Sequence, residues 1–367
     1  MKNYQGQNKI LEIKEAIIKV IAFFDMFDQV LTNVEIWQML TIKCELNEVM
    51  EVLENEIQLP LIFTYQESAV KGGKINLDSR LRGNDKKQDR QIIENKNGFY
   101  FLAGQEKNIR ERLSRYSFTD RKFKRAMLVS KIFKFIPWIK MVAISNLLGA
   151  HNLKDDSDID FFIVTENKRI WLTRFFCAGV TKLLGLRPQA NNSRDKICLS
   201  FYVSEKAIDL RGLMLKQDSI ASLQNDKEIN SSRPSLLKGV EIADIYFIYW
   251  LAGLTPLYDV GGTYQKFIKA NQWLYADLPN WQPVNPARQR QVKPFLSEFY
   301  RDVINLFIGG LEPQFKSLQL KLLPPQLKNL MNQDSRVVVN DQIIKLHAND
   351  RREEYRGKYN RKIRELS

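Results

Sequence analysis

Asp158 and Asp160 stand two residues apart in the stretch DDSDIDFFIVTE, which runs from Asp155 to Glu166. Its second half, Ile159 to Val164, has the apolar composition of a buried strand. Successive side chains of a strand alternate between faces, so residues two apart share one. Both carboxylates would then point the same way at the mouth of a single strand. Like charges that close repel, and their ionised forms are favoured when a cation sits between them. Hard oxygen ligands of this kind suit Mg²⁺. The plainer alternative is a pair of solvated acids at a strand start.

Such a pair needs neighbouring elements to hold it. WIKMVAIS, Trp138 to Ser145, reads as a preceding strand, and NLLGAHNLKDDS as the turn between the two. KRIWLTRFFCAGVTKLLGL reads as a helix that Arg187-Pro188 ends. KICLSFYVSE, Lys196 to Glu205, reads as a third strand. Strand, turn, strand, helix, strand predicts a small α/β sheet.

Upstream, residues 9–27 carry apolar positions at helical spacing. Thr32 followed by Glu35 is a capping box, with Leu31 placed for a hydrophobic staple. ELNEVMEVLENE is amphipathic through Leu46, Val49, Met50 and Leu53. Two apolar runs then flank Asn97-Gly98, a hairpin signal. Three helices and a hairpin follow the order of a winged helix-turn-helix. Residues 66–90 interrupt this unit with a polar, Gly-containing stretch, read as a disordered loop. From Lys107 to Arg125 there are eight basic and two acidic residues at a helical period, a solvated face or one that tracks a phosphate backbone. Beyond 215 the chain reads as mostly helical. It includes a buried helix over VEIADIYFIYWLAGL and an aromatic-rich helix ending at Pro279, with a short hairpin at Asn340-Asp341 and a basic final helix.

The chain has 367 residues and a formal charge of +14, with 44 % hydrophobic residues. Two or three domains and an anionic partner are expected. Cys44, Cys177 and Cys198 are isolated, which gives neither a disulfide framework nor a paired zinc spacing. No apolar run reads as a signal peptide or a membrane span; Asp244 and Pro256 interrupt the longest one. A cytoplasmic protein without membrane partners is expected.

The segment AISNLLGAHNLKDDSDIDFFIV resembles the nucleotidyltransferase superfamily that includes DNA polymerase beta. That family shows a strand, a Gly-Ser turn, about ten residues, then Asp-x-Asp opening the next strand; SDIDFFIV follows the second half. The arrangement is similar to bacterial nucleotidyltransferase-domain proteins with a winged-helix-like N-terminus, over most of the chain outside 66–90. The resemblance implies an α+β fold: a winged-helix-like domain over 1–105, a basic helical connector over 106–136, a nucleotidyltransferase core over 137–215 and a helical region over 216–367. It implies a two-ion Mg²⁺ site on catalytic Asp158 and Asp160, with nucleotide contacts from Ser145, Asn146, Leu147 and Ser157. The implied reaction moves a nucleoside monophosphate from a nucleoside triphosphate to a hydroxyl acceptor. Lys168, Arg169 and Arg174 follow in sequence as candidates to neutralise charge.

Two departures accompany the resemblance. The Gly-Ser turn falls on Asn146-Leu147, and leucine donates no hydrogen bond. The third carboxylate, expected on the next strand, falls on Ser200, with Glu205 and Asp209 further along as substitutes. His151, where the family has glycine, reads as a turn histidine. A degenerate member that binds nucleotide or nucleic acid, and an interaction scaffold, remain as alternatives.

Overall fold

The computed structural model describes residues 2–56, 92–145, 153–189, 192–215, 244–283, 291–295 and 298–366. The expected loop at 66–90 and the turn residues Asn146, Leu147 and His151 lie outside the described residues.

Helices α1 (Lys2–Asp25), α2 (Asn33–Gln38) and α3 (Leu46–Glu51) open the chain. Thr32 starts α2 through its capping box: its Oγ accepts from Glu35 N–H at 3.3 Å, and the Glu35 carboxylate accepts from Thr32 N–H at 2.8 Å. Strands β1 (Ile93–Lys96) and β2 (Phe99–Leu102) pair antiparallel around Asn97-Gly98. Both turn residues have positive φ, 54° and 78°, the backbone that favours Asn-Gly there. Leu31 exchanges backbone hydrogen bonds with Tyr100, which ties the α1–α2 link to this hairpin.

Helix α4 (Lys107–Phe133) then crosses to a six-stranded sheet. Its strands are β3 (Ile139–Ile144), β4 (Ile159–Thr165), β5 (Ile197–Ser204), β6 (Thr255–Asp259), β7 (Val337–Val339) and β8 (Ile343–Leu346), in spatial order β6-β3-β4-β5-β8-β7. Only β4 and β5 run parallel, joined by α5 (Ile170–Leu183); the other pairs are antiparallel. The fold is mixed α+β.

Half of the sheet comes from beyond residue 215, so the expected division between a core at 137–215 and a helical region after it does not follow the sheet. The apolar run read as one helix through Leu254 holds α6 (Ile245–Ala252) and then β6. Pro256 ends helical propagation, and β6 is the edge strand, where a missing N–H is tolerated. The aromatic-rich helix also divides, into α7 (Thr263–Ala270) and α8 (Leu274–Asp277). Buried Asn271 separates them; its amide binds the backbone of Ile208, Leu210 and Phe267. Helices α9 (Glu298–Ile308), α10 (Glu312–Leu322), α11 (Pro325–Leu330) and α12 (Arg352–Leu366) complete the chain.

One sheet face packs Phe161, Ile163 and Tyr202 against Phe133 of α4 and Trp171 of α5. The other packs Phe162, Val164, Phe201 and Val203 against α6, α7 and the N-terminal helices in one continuous core. Among the described residues no helix is long and apolar enough to cross a membrane.

Candidate functional site

The loop that leads into β4 is held from below by α4. Lys122 is fully buried and donates to the Asp155 carbonyl at 3.1 Å, the Ser157 carbonyl and the Asp195 carboxylate at 2.9 Å. Arg121 bonds Asp195 at 2.7 Å and also reaches Asp155. The Asp195 N–H donates to the Ser157 carbonyl at 3.1 Å. Much of the basic face of α4 is thus engaged inside the molecule. Arg112 makes a two-pronged bond to Glu35 at 2.7 and 2.8 Å, and Arg115 reaches Glu111 and the Phe27 carbonyl.

Above this anchored loop, Asp160 of β4 lies directly beside Cys198 of β5. Asp158, Asp160 and Cys198 each offer a ligand atom, and these atoms lie within 4.8 Å of one another. The group can hold a metal ion. Burial raises the Asp158 pKa. Asp160 is pushed up to about 7 by burial and then by the neighbouring Asp158 charge. The Cys198 thiol is driven well up by burial and by both aspartates, so it stays protonated. Among the described residues neither aspartate has an ion-pair partner.

The resemblance put the third carboxylate at Ser200. In the sheet it is Cys198, paired directly with Asp160, that stands next to the carboxylates. The ladder bulges just after this pair, with Phe162 opposite Phe201 and one extra residue on β5. Ser200 lies toward the end of β8. There its Oγ lies 2.8 Å from Nε2 of His347, which burial and then Lys345 hold down at about 4, hence neutral. Cys198 in turn donates to Ser200 at 3.3 Å.

The other expected residues divide. Ser145 reaches the site, but its N–H and Oγ both donate to the Asp160 carbonyl, at 3.0 and 3.4 Å, so its hydroxyl is used on the backbone. Ser157 likewise spends its hydroxyl on the Lys154 carbonyl at 2.9 Å. Asn146 and Leu147 lie outside the described residues. Lys168 and Arg169 follow the far end of β4, about 16 Å of strand from Asp160, and Arg174 lies on α5. Arg169 bonds Asn305 and Arg174 bonds Gln319 instead. Glu205 and Asp209 are no substitutes for the third carboxylate. Glu205 follows β5 and accepts from Asn167 N–H, while Asp209 accepts from Arg211 N–H and Trp273 Nε1–H. Cys198 and His347 were not singled out for the site, because only the β4–β5 and β5–β8 pairings bring them to it.

Asp160 also opens on a cavity of about 200 Å³ between β5, β8, α6 and the start of α12. Comparison with family models, curated proteins and solved structures gives no match.

The donors fit one hard divalent ion through two carboxylate oxygens. They do not fit the two-ion arrangement fully, because the third group beside the pair among the described residues is a protonated thiol and not a carboxylate.

Proposed function

We propose that this protein is a nucleotidyltransferase. It would take a nucleoside triphosphate, escorted by Mg²⁺, and pass its nucleoside monophosphate to a hydroxyl acceptor, whose oxygen replaces pyrophosphate at the α-phosphorus and gives up its proton. The observation that carries the reading is the pair Asp158 and Asp160. The two acids come together at the opening of β4, beside a loop that α4 fixes, and among the described residues neither has an ion-pair partner. Their mutual repulsion is relieved by an added cation. Bound there, a divalent ion would screen phosphate charge. The remaining work falls to the chain: Lys122 and Arg121 hold the loop, and Ser145 fixes the Asp160 backbone. On this reading the N-terminal helices and hairpin are a winged-helix-like unit, and the sheet is a nucleotidyltransferase core.

A second reading rests on Cys198. With a thiol in place of the third carboxylate, the site would bind a nucleotide without turning it over. Nucleotide is favoured over nucleic acid, because Arg112, Arg115, Arg121 and Lys122 of α4 are already engaged internally. Incubation with labelled nucleoside triphosphates, Mg²⁺ and hydroxyl acceptors separates the two. Transfer that disappears in Asp158→Ala/Asp160→Ala supports the first. Magnesium-dependent binding with no turnover supports the second. Turnover that persists in the double variant sinks the site assignment.

A further inference from the structure

The cavity beside Asp160 has walls of a definite chemical kind. Trp250 of α6 stacks against Phe201 at 5.5 Å and 16°, and against Phe247 at 5.4 Å and 11°. Tyr246 and Tyr355 form a further stacked pair, 5.1 Å apart at 27°. All five rings line the cavity.

The charged groups there cancel among themselves. Asp244 bonds Arg352 at 2.6 Å, Arg352 bonds Asp350 at 3.0 Å, and Asp350 bonds Lys345 at 2.8 Å. Two acids and two bases close one network. Arg351, at the rim, is bonded to Glu354 at 2.7 Å. His347 is neutral and hydrogen-bonded to Ser200. The buried cations Lys345 and Arg352 are thus engaged inside the cavity, and Asp160 would repel a phosphate there. An uncharged planar ring suits such walls, since aromatic faces stack on one another. The size agrees. About 200 Å³ is the space of roughly seven waters, at ~30 Å³ each. That is the scale of a ring system, below the ~300–1,000 Å³ of pockets that enclose a whole ligand. The Asn349 carboxamide, exposed at the rim, offers a donor and an acceptor to a ring edge.

We propose that this cavity takes the nucleobase of a nucleotide whose phosphates lie outside it, at Asp158 and Asp160. The proposal rests on the nucleotide reading above and adds the place where the base is held. Specificity among bases would then be set by α6, β8 and the start of α12, elements far along the chain from the aspartates.

The test is calorimetric titration of the full chain, in Mg²⁺, with tripolyphosphate and with each of ATP, GTP, CTP and UTP. At least one nucleotide should bind about tenfold or more tighter than tripolyphosphate, the scale of base–aromatic stacking. Trp250→Leu should reduce that preference to near unity and leave tripolyphosphate binding in place. If Trp250→Leu loses tripolyphosphate binding as well, Tyr355→Ala at the rim decides: a reduced preference supports the pocket, and an unchanged one overturns it. Equal affinity for tripolyphosphate and all four nucleotides overturns the base pocket and leaves the phosphate site standing. Failure of every probe to bind overturns both.

Discussion

Four aspartates within one small region behave in opposite ways. Asp155 is held below the usual carboxylate range by its hydrogen bond to Arg121. Burial raises Asp195, but Arg121 and Lys122 outweigh it, and its pKa also falls. Asp158 and Asp160, three and five residues beyond Asp155, are both raised. The cations that could have neutralised the second pair are spent on the first. Lys122 is the clearest case. It is buried below Ser157, yet its ammonium bonds Asp195 and two carbonyls rather than Asp158. One pair of acids serves to position the loop. The other has no ion-pair partner among the described residues, the arrangement expected where an outside cation is to complete the site.

Removing the unanswered pair is the most severe way to break this contrast. Asp158→Ala/Asp160→Ala should lower magnesium-dependent nucleotide binding about 100-fold or more, measured by titration, since the ion loses both of its hard ligands. Thermal stability should not fall, because no ion pair is broken. A melting temperature that drops along with affinity would show that the pair is structural.

Attacking the answered pair should have the reverse signature. Lys122→Met strips a fully buried ammonium from the 8 % exposed Asp195 carboxylate. Breaking a buried pair from one side costs about 3–5 kcal/mol. Urea unfolding should register that loss, and cation affinity should fall with it because the β4 loop is no longer anchored. A variant as stable as the parent would show that Arg121 alone holds the loop.

Much of the frame for this contrast was legible in the sequence, for local reasons. The Thr32–Glu35 box, the Asn97-Gly98 turn and the two-residue spacing of Asp158 and Asp160 each follow from geometry over a few residues. The illegible parts depend on pairing between distant segments. β6 hid in an apolar run continuous with α6, and its Pro256 is accommodated because β6 is an edge strand. Cys198 looked isolated because cysteine spacing along the chain does not show that β5 pairs with β4 and sets it beside Asp160. His347 and the aromatic cavity depend on β8 lying beside β5 across more than a hundred residues of chain. The α4 cations looked available for phosphate, and nothing local shows that Lys122 is buried.

A milder change sharpens the contrast by completing the set of acids. Cys198→Asp puts a carboxylate where the protonated thiol sits. Without cation, the added charge should destabilise the fold, because a third acid joins two that already repel. With Mg²⁺ it should raise cation affinity about tenfold, as one more hard ligand is supplied. If the second reading of the site is correct, turnover should appear in this variant as well. Unchanged Mg²⁺ affinity would show that the position beside Asp160 does not face the ion.

The smallest effect is a slope that two neighbours conceal. Asp160 titrates near 7 when folded against 3.8 when free, so its contribution to stability is full below 3.8 and is lost as pH rises to 7. His347 titrates near 4 against 6.5, so its contribution is full above 6.5 and is lost as pH falls to 4. Between pH 4 and 6.5 the folded chain holds an extra proton on Asp160 and lacks one on His347. The two slopes oppose each other, so the metal-free protein should show little pH dependence from this pair. Asp160→Asn should uncover the histidine, with stability rising by up to ~1.4 kcal/mol per pH unit across that window. His347→Gln should uncover the aspartate, with stability falling over the same range. Urea unfolding in chelator at half-unit pH steps reads both. Parallel curves for the two variants would mean that the opposed titrations do not occur.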